Sequence, residues 1–277
     1  MFRPVVHAIV AVLLVATGAR AAIVDPVFVR GNKRSDGWFD HLAAFESASD
    51  MVQYQNQSWT QAMSNPNYGK SAFFDGTNYS WVDPYAPPSS QNYFFLHDYG
   101  AQLENLINDS GADTHSFYRT SSDNNSGTWF ADSEGGIYNF FYAAPDSESF
   151  PISYIRRYAS IADVLNDNGT SHRSHPYSDE DRFFAANGKY YRTDTGSGNV
   201  IGIDVFNSFD DLLTGNASVK YNGGVGSSDD LFMVVPRAAL PSGGPPSVPE
   251  IDPAGLGSIL TLLGGGLALL DRRRTRD

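Results

Sequence analysis

The chain has 277 residues, a formal net charge of −12 and no cysteine. Its length suits one domain of ordinary size or two small ones, and the missing thiols exclude disulfides, thiol nucleophiles and cysteine metal sites. Aromatic residues make up 13% of the sequence, far more than a disordered chain carries, so a packed interior is expected.

At the N-terminus, Arg3 precedes an almost unbroken apolar run from Val5 to Val15. Ala19-Arg20-Ala21 then supplies the small residues around which a signal peptidase cuts. Residues 1–21 are therefore expected to be a signal peptide, with Ala19, Ala21 and Ala22 forming the cleavage site and signal peptidase as a processing partner. Setting both chain ends aside leaves 13 of the 19 basic and 27 of the 31 acidic residues, so the region between them carries about −14. Nucleic acid and anionic membranes are poor partners for such a surface, because phosphate binding needs the opposite sign.

Residues 22–236 are self-similar. A pair of large apolar residues recurs at Trp38-Phe39, Phe73-Phe74, Trp129-Phe130, Phe183-Phe184 and Leu231-Phe232, with steps of 35, 56, 54 and 48 residues. After three of the pairs comes a turn and a second aromatic strand, at Asp75-Gly76, Gly135-Gly136 and Asn187-Gly188. These dipeptides supply the positive backbone dihedrals of tight hairpins.

A second marker runs aromatic, any residue, Ser, two residues, Asp, two apolar residues. It begins at Phe45, Tyr158 and Phe206, with a degraded copy at Tyr99 that lacks the serine. Ser47, Ser160 and Ser208, each three residues before an aspartate, predict capped short helices. The lead aromatics step by 54, 59 and 48 residues.

A unit of roughly 50 residues with several strands and glycine turns falls in the range of propeller blades. The expected fold is all-β: a repeat-built, about four-bladed β-propeller-like domain with short helical turns, plus hydrophobic helices at the termini. A duplicated β-sandwich is the alternative. In a closed ring, residues 231–235 would pair with a strand near residues 27–30.

Several residue groups invite a chemical reading. His172 and His175 could chelate a metal, but no third ligand is recognisable and a solvated loop is expected. Asp123-Asn124-Asn125-Ser126-Gly127 has its glycine one place too early for a calcium loop, so it is expected to be a plain turn. Asp179, Glu180 and Asp181 could serve acid/base chemistry, although an acidic domain supplies such neighbours by composition. Asn56, Asn78, Asn108, Asn124, Asn168 and Asn216 begin Asn-x-Ser/Thr triplets and are expected in turns. Trp59 and Trp81 stand outside the repeated pairs and are expected in the core, with stacking on sugar rings as the alternative. No catalytic residue, cofactor or metal site is assigned.

Residues 237–247 form a Pro/Gly/Ser linker. Val248, Pro249, Glu250, Ile251, Asp252 and Pro253 make a proline/acidic motif, residues 254–270 are apolar and glycine-rich, and Arg272, Arg273, Arg274 and Arg276 end the chain. Seventeen apolar residues are near the short limit for crossing a bilayer, and the arginines favour a cytoplasmic C-terminus. The arrangement over residues 248–277 resembles the PEP-CTERM sorting tail of bacterial exported proteins. Ile251 stands where that family usually has its second proline. The resemblance implies an exosortase-like processing enzyme as partner, a membrane-held precursor, and release to the envelope or extracellular matrix.

The expectation is an exported protein of the cell surface or matrix, of non-catalytic binding or scaffold type. A secreted carbohydrate-binding, lectin-like protein or a carbohydrate-active propeller is the alternative, with extracellular glycans as partners.

Overall fold

Runs rich in Phe, Tyr, Val and Ile favour extended chain, and the Asp-Gly, Gly-Gly and Asn-Gly breaks between them favour tight turns. Their assembly is seen in a computed structural model describing residues 22–33, 39–67, 71–83, 93–118, 128–132, 134–142, 152–224, 226–228 and 230–242. In chain order the first sheet contains β1 (Pro26–Lys33), β2 (Phe39–Phe45) and β3 (Gln57–Asn67). The second holds β4 (Ser71–Phe74), β5 (Tyr79–Asp83), β6 (Tyr93–Asp98) and β7 (Asp113–Tyr118). The third holds β8 (Trp129–Ala131), β9 (Ile137–Tyr142), β10 (Ile152–Tyr158) and β11 (Thr170–Tyr177). The fourth holds β12 (Phe183–Ala186), β13 (Lys189–Gly196), β14 (Asn199–Phe206) and β15 (Val219–Asn222).

The last strand, β16 (Leu231–Pro236), returns to the first sheet and gives it the order β16-β1-β2-β3. All pairings are antiparallel, and β16 meets β1 from Pro26 opposite Pro236 to Gly31 opposite Leu231. The innermost strands β16, β4, β8 and β12 neighbour one another in a cycle that ends with β12 against β16. The protein is a four-bladed β-propeller closed by a strand from each end of the domain. The duplicated sandwich is set aside.

One part of the sequence reading is corrected. The four inner strands carry the pairs Phe73-Phe74, Trp129-Phe130, Phe183-Phe184 and Leu231-Phe232, but Phe39 opens a third strand, β2, and belongs to no inner position. Trp38 lies outside the described residues. The discrepant first step of 35 residues came from this false copy. With it removed, the inner strands step by 56, 54 and 48 residues.

Each blade carries a short helix between its third and outer strands: α1 (Ala48–Gln53), α2 (Leu103–Ile107), α3 (Ile161–Leu165) and α4 (Phe209–Thr214). Each packs on the preceding blade: α1 on β14 and β15, α2 on β3, α3 on β7 and α4 on β11. The predicted caps are present. The hydroxyls of Ser47, Ser160 and Ser208 accept from the N–H groups of Asp50, Asp163 and Asp211 and donate to the same residues' carboxylates. Gln102, in the degraded copy, makes no side-chain cap.

Successive side chains of a strand point to opposite faces, and in the inner strands both faces are buried. Val27, Val29, Leu231, Met233 and Val235 join Trp59, Trp81 and Tyr99 between the first two blades. Phe232 and Val234 face the other way, toward Phe184, Ile203 and Val205 of the fourth. Two further clusters fill the remaining seams. Among the described residues no helix is long and apolar enough to cross a membrane. Residues 1–21 and 243–277, which include the expected terminal helices, lie outside the described residues.

Candidate functional site

The axis of a propeller is where four strands converge, so the channel is the first place to seek a site. Phe74, Phe130, Phe184 and Phe232, one from each inner strand, line it and leave a cavity of about 10 Å³. That is near the least volume that holds one water, whereas a small-molecule pocket needs roughly 300–1,000 Å³.

Each of these rings is supported by the residue directly across on the next strand. Phe74 stacks on Tyr79 at 4.6 Å, Phe130 on Tyr138 at 4.7 Å and Phe184 on Tyr191 at 4.9 Å between ring centroids. In the closing blade the partner is Arg30, whose guanidinium lies 5.6 Å from the Phe232 ring centre and 5.0 Å from that of Tyr54. Arg30 is fully buried. Its Nε and Nη2 donate to Asp230 Oδ2 at 2.8 and 2.7 Å, and Nη1 donates to the Met51 carbonyl at 2.9 Å.

The inner strands begin at the channel mouth, and Ser71, Thr128, Arg182 and Asp230, one per blade, line a second cavity of about 10 Å³ there. Three of these groups are committed. Thr128 Oγ1 donates to the Asp181 carbonyl at 3.0 Å, Arg182 Nη1 reaches the carbonyls of residues 179–181, and Asp230 holds Arg30.

Beside the mouth, Arg192 gathers three carboxylates: Asp181 at 2.9 Å, Asp204 at 2.7 Å and Asp194 at 3.1 Å. Burial works against the Arg192 charge, but the three carboxylates hold its pKa above the ordinary guanidinium value. Asp181 is fully buried and also accepts from the N–H and hydroxyl of Thr195. Burial raises its pKa above the usual aspartate value, with Arg192 opposing. At the other end of the blades, Asp132 accepts from the hydroxyls of Tyr138 at 2.7 Å and Tyr190 at 3.2 Å, and from two backbone N–H groups. Burial, followed by the Asp132 charge, pushes the Tyr190 phenol up to about 12.

A carboxylate acting as acid or base needs a lone pair aimed at space for a substrate. Asp181 and Asp132 instead serve as structural acceptors. Of the three consecutive acids, Glu180 accepts from the Gly198 N–H at 3.0 Å and Asp179 from the Ser178 hydroxyl, so the run does not converge on a pocket.

His172 and His175 lie in strand β11 and not in the expected loop. They pack against α4 and its end, His172 on Phe209 and His175 beside Gly215. Among the described residues no group of three metal-ligating side chains forms. Trp59 and Trp81 are buried, at 5% and 1% exposure, so neither offers a face for a sugar. Asn56, Asn168 and Asn216 share one role in the repeat: each amide donates to the capping aspartate of its own blade. Asn78 closes the Asp75 turn and Asn108 caps α2, while residues 123–127, including Asn124, lie outside the described residues.

Of the cleavage-site residues, Ala22 is described and exposed. Ala19, Ala21, the sorting motif from Val248 to Pro253 and the terminal arginines lie outside the described residues. The sequence reading missed Arg30, Asp230, Arg192 and Asp132. The one available signal was Arg30, a charge inside a run that otherwise alternates Val and Phe. The chain matches no protein-family model and no curated protein.

Proposed function

We propose that the chain is an exported, non-catalytic binding or scaffold protein of the cell surface or extracellular matrix. A signal peptide of residues 1–21 takes it across the membrane, and an exosortase-like enzyme acts on the tail of residues 248–277. The observation that carries the non-catalytic reading is the filled axis: four phenylalanines leave about 10 Å³ where a ligand would need thirty times that or more. The internally paired carboxylates support it as well. Binding in such a protein falls to the outer surfaces of the blades.

The test is to follow the chain in a producing cell. Antibody against the domain should find it in the surface or extracellular fraction. Its mass should correspond to a start at Ala22 and an end near Pro253. Recovery of an uncut chain in the cytoplasm would overturn the export reading. A mature form that keeps Arg272 to Arg276 would replace sorting with a permanent anchor. Turnover of matrix polysaccharide by the purified protein would overturn the non-catalytic reading, whereas retention on that polysaccharide without turnover would identify glycan as the partner.

A further inference from the structure

A cationic face lies on the outer half of the third blade. Strands β10 and β11 hold Arg156, Arg157 and Arg173 and no acidic residue, a formal +3. The equivalent strand pairs of the other blades are negative or neutral: Asp40 alone in β2 and β3, Asp98 and Asp113 in β6 and β7, and Asp204 against Lys220 in β14 and β15. At physiological ionic strength, charges more than ~8 Å away are largely screened. A ligand on this blade therefore responds to its arginines more than to the acidic remainder of the domain.

Two of the three arginines are used internally. Arg156 donates to Asp167 at 2.5 Å and to Ser171 at 3.3 Å. Arg157 donates to the Tyr138 hydroxyl at 2.9 Å and lies over that ring. Arg173 is exposed, and among the described residues it has no hydrogen bond or ion pair. Directly across the ladder from it stands Tyr154, which is 36% exposed. Tyr154 precedes by four residues Tyr158, which the same face buries in the seam with the second blade. Opposed residues of an antiparallel pair share a face, with Cβ atoms about 5 Å apart. A flat aromatic ring and an unengaged guanidinium thus lie side by side at the surface.

We infer that Tyr154 and Arg173 bind a glycan that carries an acidic sugar among neutral ones, with the sugar ring stacked on Tyr154 and its carboxylate on Arg173. This rests on the surface-or-matrix reading above and names the partner. In a hexuronate the carboxyl group is attached directly to the pyranose ring, so an offset of about 5 Å places one group on each side chain. The C–H face of the sugar meets the apolar body of the tyrosine, and the carboxylate takes two parallel N–H bonds from the guanidinium. One unengaged arginine in an acidic domain fits sparse charge, whereas nucleic acid is held by neutralising many phosphates at once. A peptide fits less well. β11 is an edge strand, but Pro176 has no N–H to offer an added strand. Among the described residues the other exposed large apolar side chains lie elsewhere, Val24 beside β1 and Ile201 and Val219 in the fourth blade, so this face offers no apolar seat for a peptide side chain.

The test is frontal affinity chromatography of the full-length chain, kept in detergent, on beads bearing a neutral oligosaccharide with one glucuronate or one galacturonate. Control beads carry the same oligosaccharides with the carboxyl reduced to an alcohol. The chain should be retained on at least one uronate column and bind its reduced counterpart about tenfold more weakly, the weight of one charge-assisted contact. Arg173→Gln should lose a similar factor, and Arg173→Lys, which keeps the charge without the paired donors, should fall between. Tyr154→Leu keeps apolar bulk, removes the flat ring and should also weaken retention. Lys220→Gln, at a cation of the fourth blade, should change nothing. Thermal melts matching the wild type would show that the variants are folded. Equal retention on uronate and reduced beads, or retention unmoved by Arg173→Gln, would overturn the site. Displacement by a glutamate-rich peptide as effective as by the free oligosaccharide would replace sugar recognition with a plain charge contact. No retention on either uronate column would overturn the inference and leave the surface location, read by fractionation, standing. Recovery of the chain in the cytoplasm would instead remove the reading on which the partner rests, whatever the beads retain.

Discussion

Replacing Asp230 by alanine tests the closing blade at its most sensitive point. The substitution removes the carboxylate that receives two of the Arg30 donors and leaves a fully buried guanidinium facing the Met51 carbonyl and the rings of Tyr54 and Phe232. Breaking one side of a buried ion pair costs ~3–5 kcal/mol, a large share of the ~5–15 kcal/mol that holds a domain together. With a urea slope of ~2–3 kcal/mol/M, the unfolding midpoint should fall by about 1–2 M, read from the fluorescence of the buried tryptophans. Removing both charges behaves differently, because apolar replacement of a buried pair is often close to neutral. Asp230→Ala combined with Arg30→Met should therefore be clearly more stable than Asp230→Ala alone. If the single variant melts with the wild type, or the double variant is no better than the single one, Arg30 is not the buried, carboxylate-dependent cation described above.

Ser160→Ala and Ser208→Ala should each cost about 1 kcal/mol in a denaturant melt through loss of the helix cap. Gln102→Ser, at the copy that lacks a cap, should gain a few tenths to ~1 kcal/mol by the same reasoning. Gly226→Ala should cost ~1–3 kcal/mol, because its Cβ would lie 1.8 Å from Arg30 Nη2, which Asp230 holds in place; an unchanged melt would mean that this loop does not enclose Arg30. The folded-state pKa of Asp181 is raised by burial, so its contribution to stability is greatest below the unfolded value near 4 and is lost as pH rises through the folded value. Asp181→Asn should consequently gain on the wild type from pH 4 to 7, and parallel profiles would show that Asp181 does not titrate in that way.

The architecture was legible because its markers sit where every blade must solve the same problem. Inner strands need large apolar side chains on both faces, which gives the aromatic pairs. A helix wedged against the neighbouring blade needs a start signal, which gives Ser160 and Ser208. The pair at Trp38-Phe39 misled because an aromatic such as Phe39 also suits a third strand, and only the uneven step distinguished it. The polar interior was not legible, since its partners are far apart in sequence: Arg30 and Asp230 are 200 residues apart, and Asp132 reaches across a blade seam to Tyr190. Histidines 172 and 175 were expected in a loop because no third metal ligand accompanies them, but they lie in β11, an outer strand, where Pro176 is tolerated at the edge.

The departure of the closing blade from the other three follows from how it is made. In the second, third and fourth blades a tight hairpin joins the first two strands and fixes their register through the turn. The closing blade has no such turn, because β1 and β16 come from opposite ends of the domain and meet only when the chain is complete. Apolar strands buried on both faces discriminate poorly between registers, yet a slip of one residue would turn every side chain to the opposite face. The β1–β16 ladder carries a charged pair at each end: Arg30 with Asp230 where β16 begins, and Asp25 with Arg237 where it finishes. Glu46 adds to the second, and its hydrogen bond to Arg237 holds its carboxyl below the usual glutamate range. A slip would carry the Arg30 guanidinium toward the side occupied by Val27, Val29 and Met233, with no carboxylate to receive it. The arginine in place of the tyrosine found in the other blades thus supplies, through a long-range pair, the register that a hairpin supplies locally elsewhere in the ring.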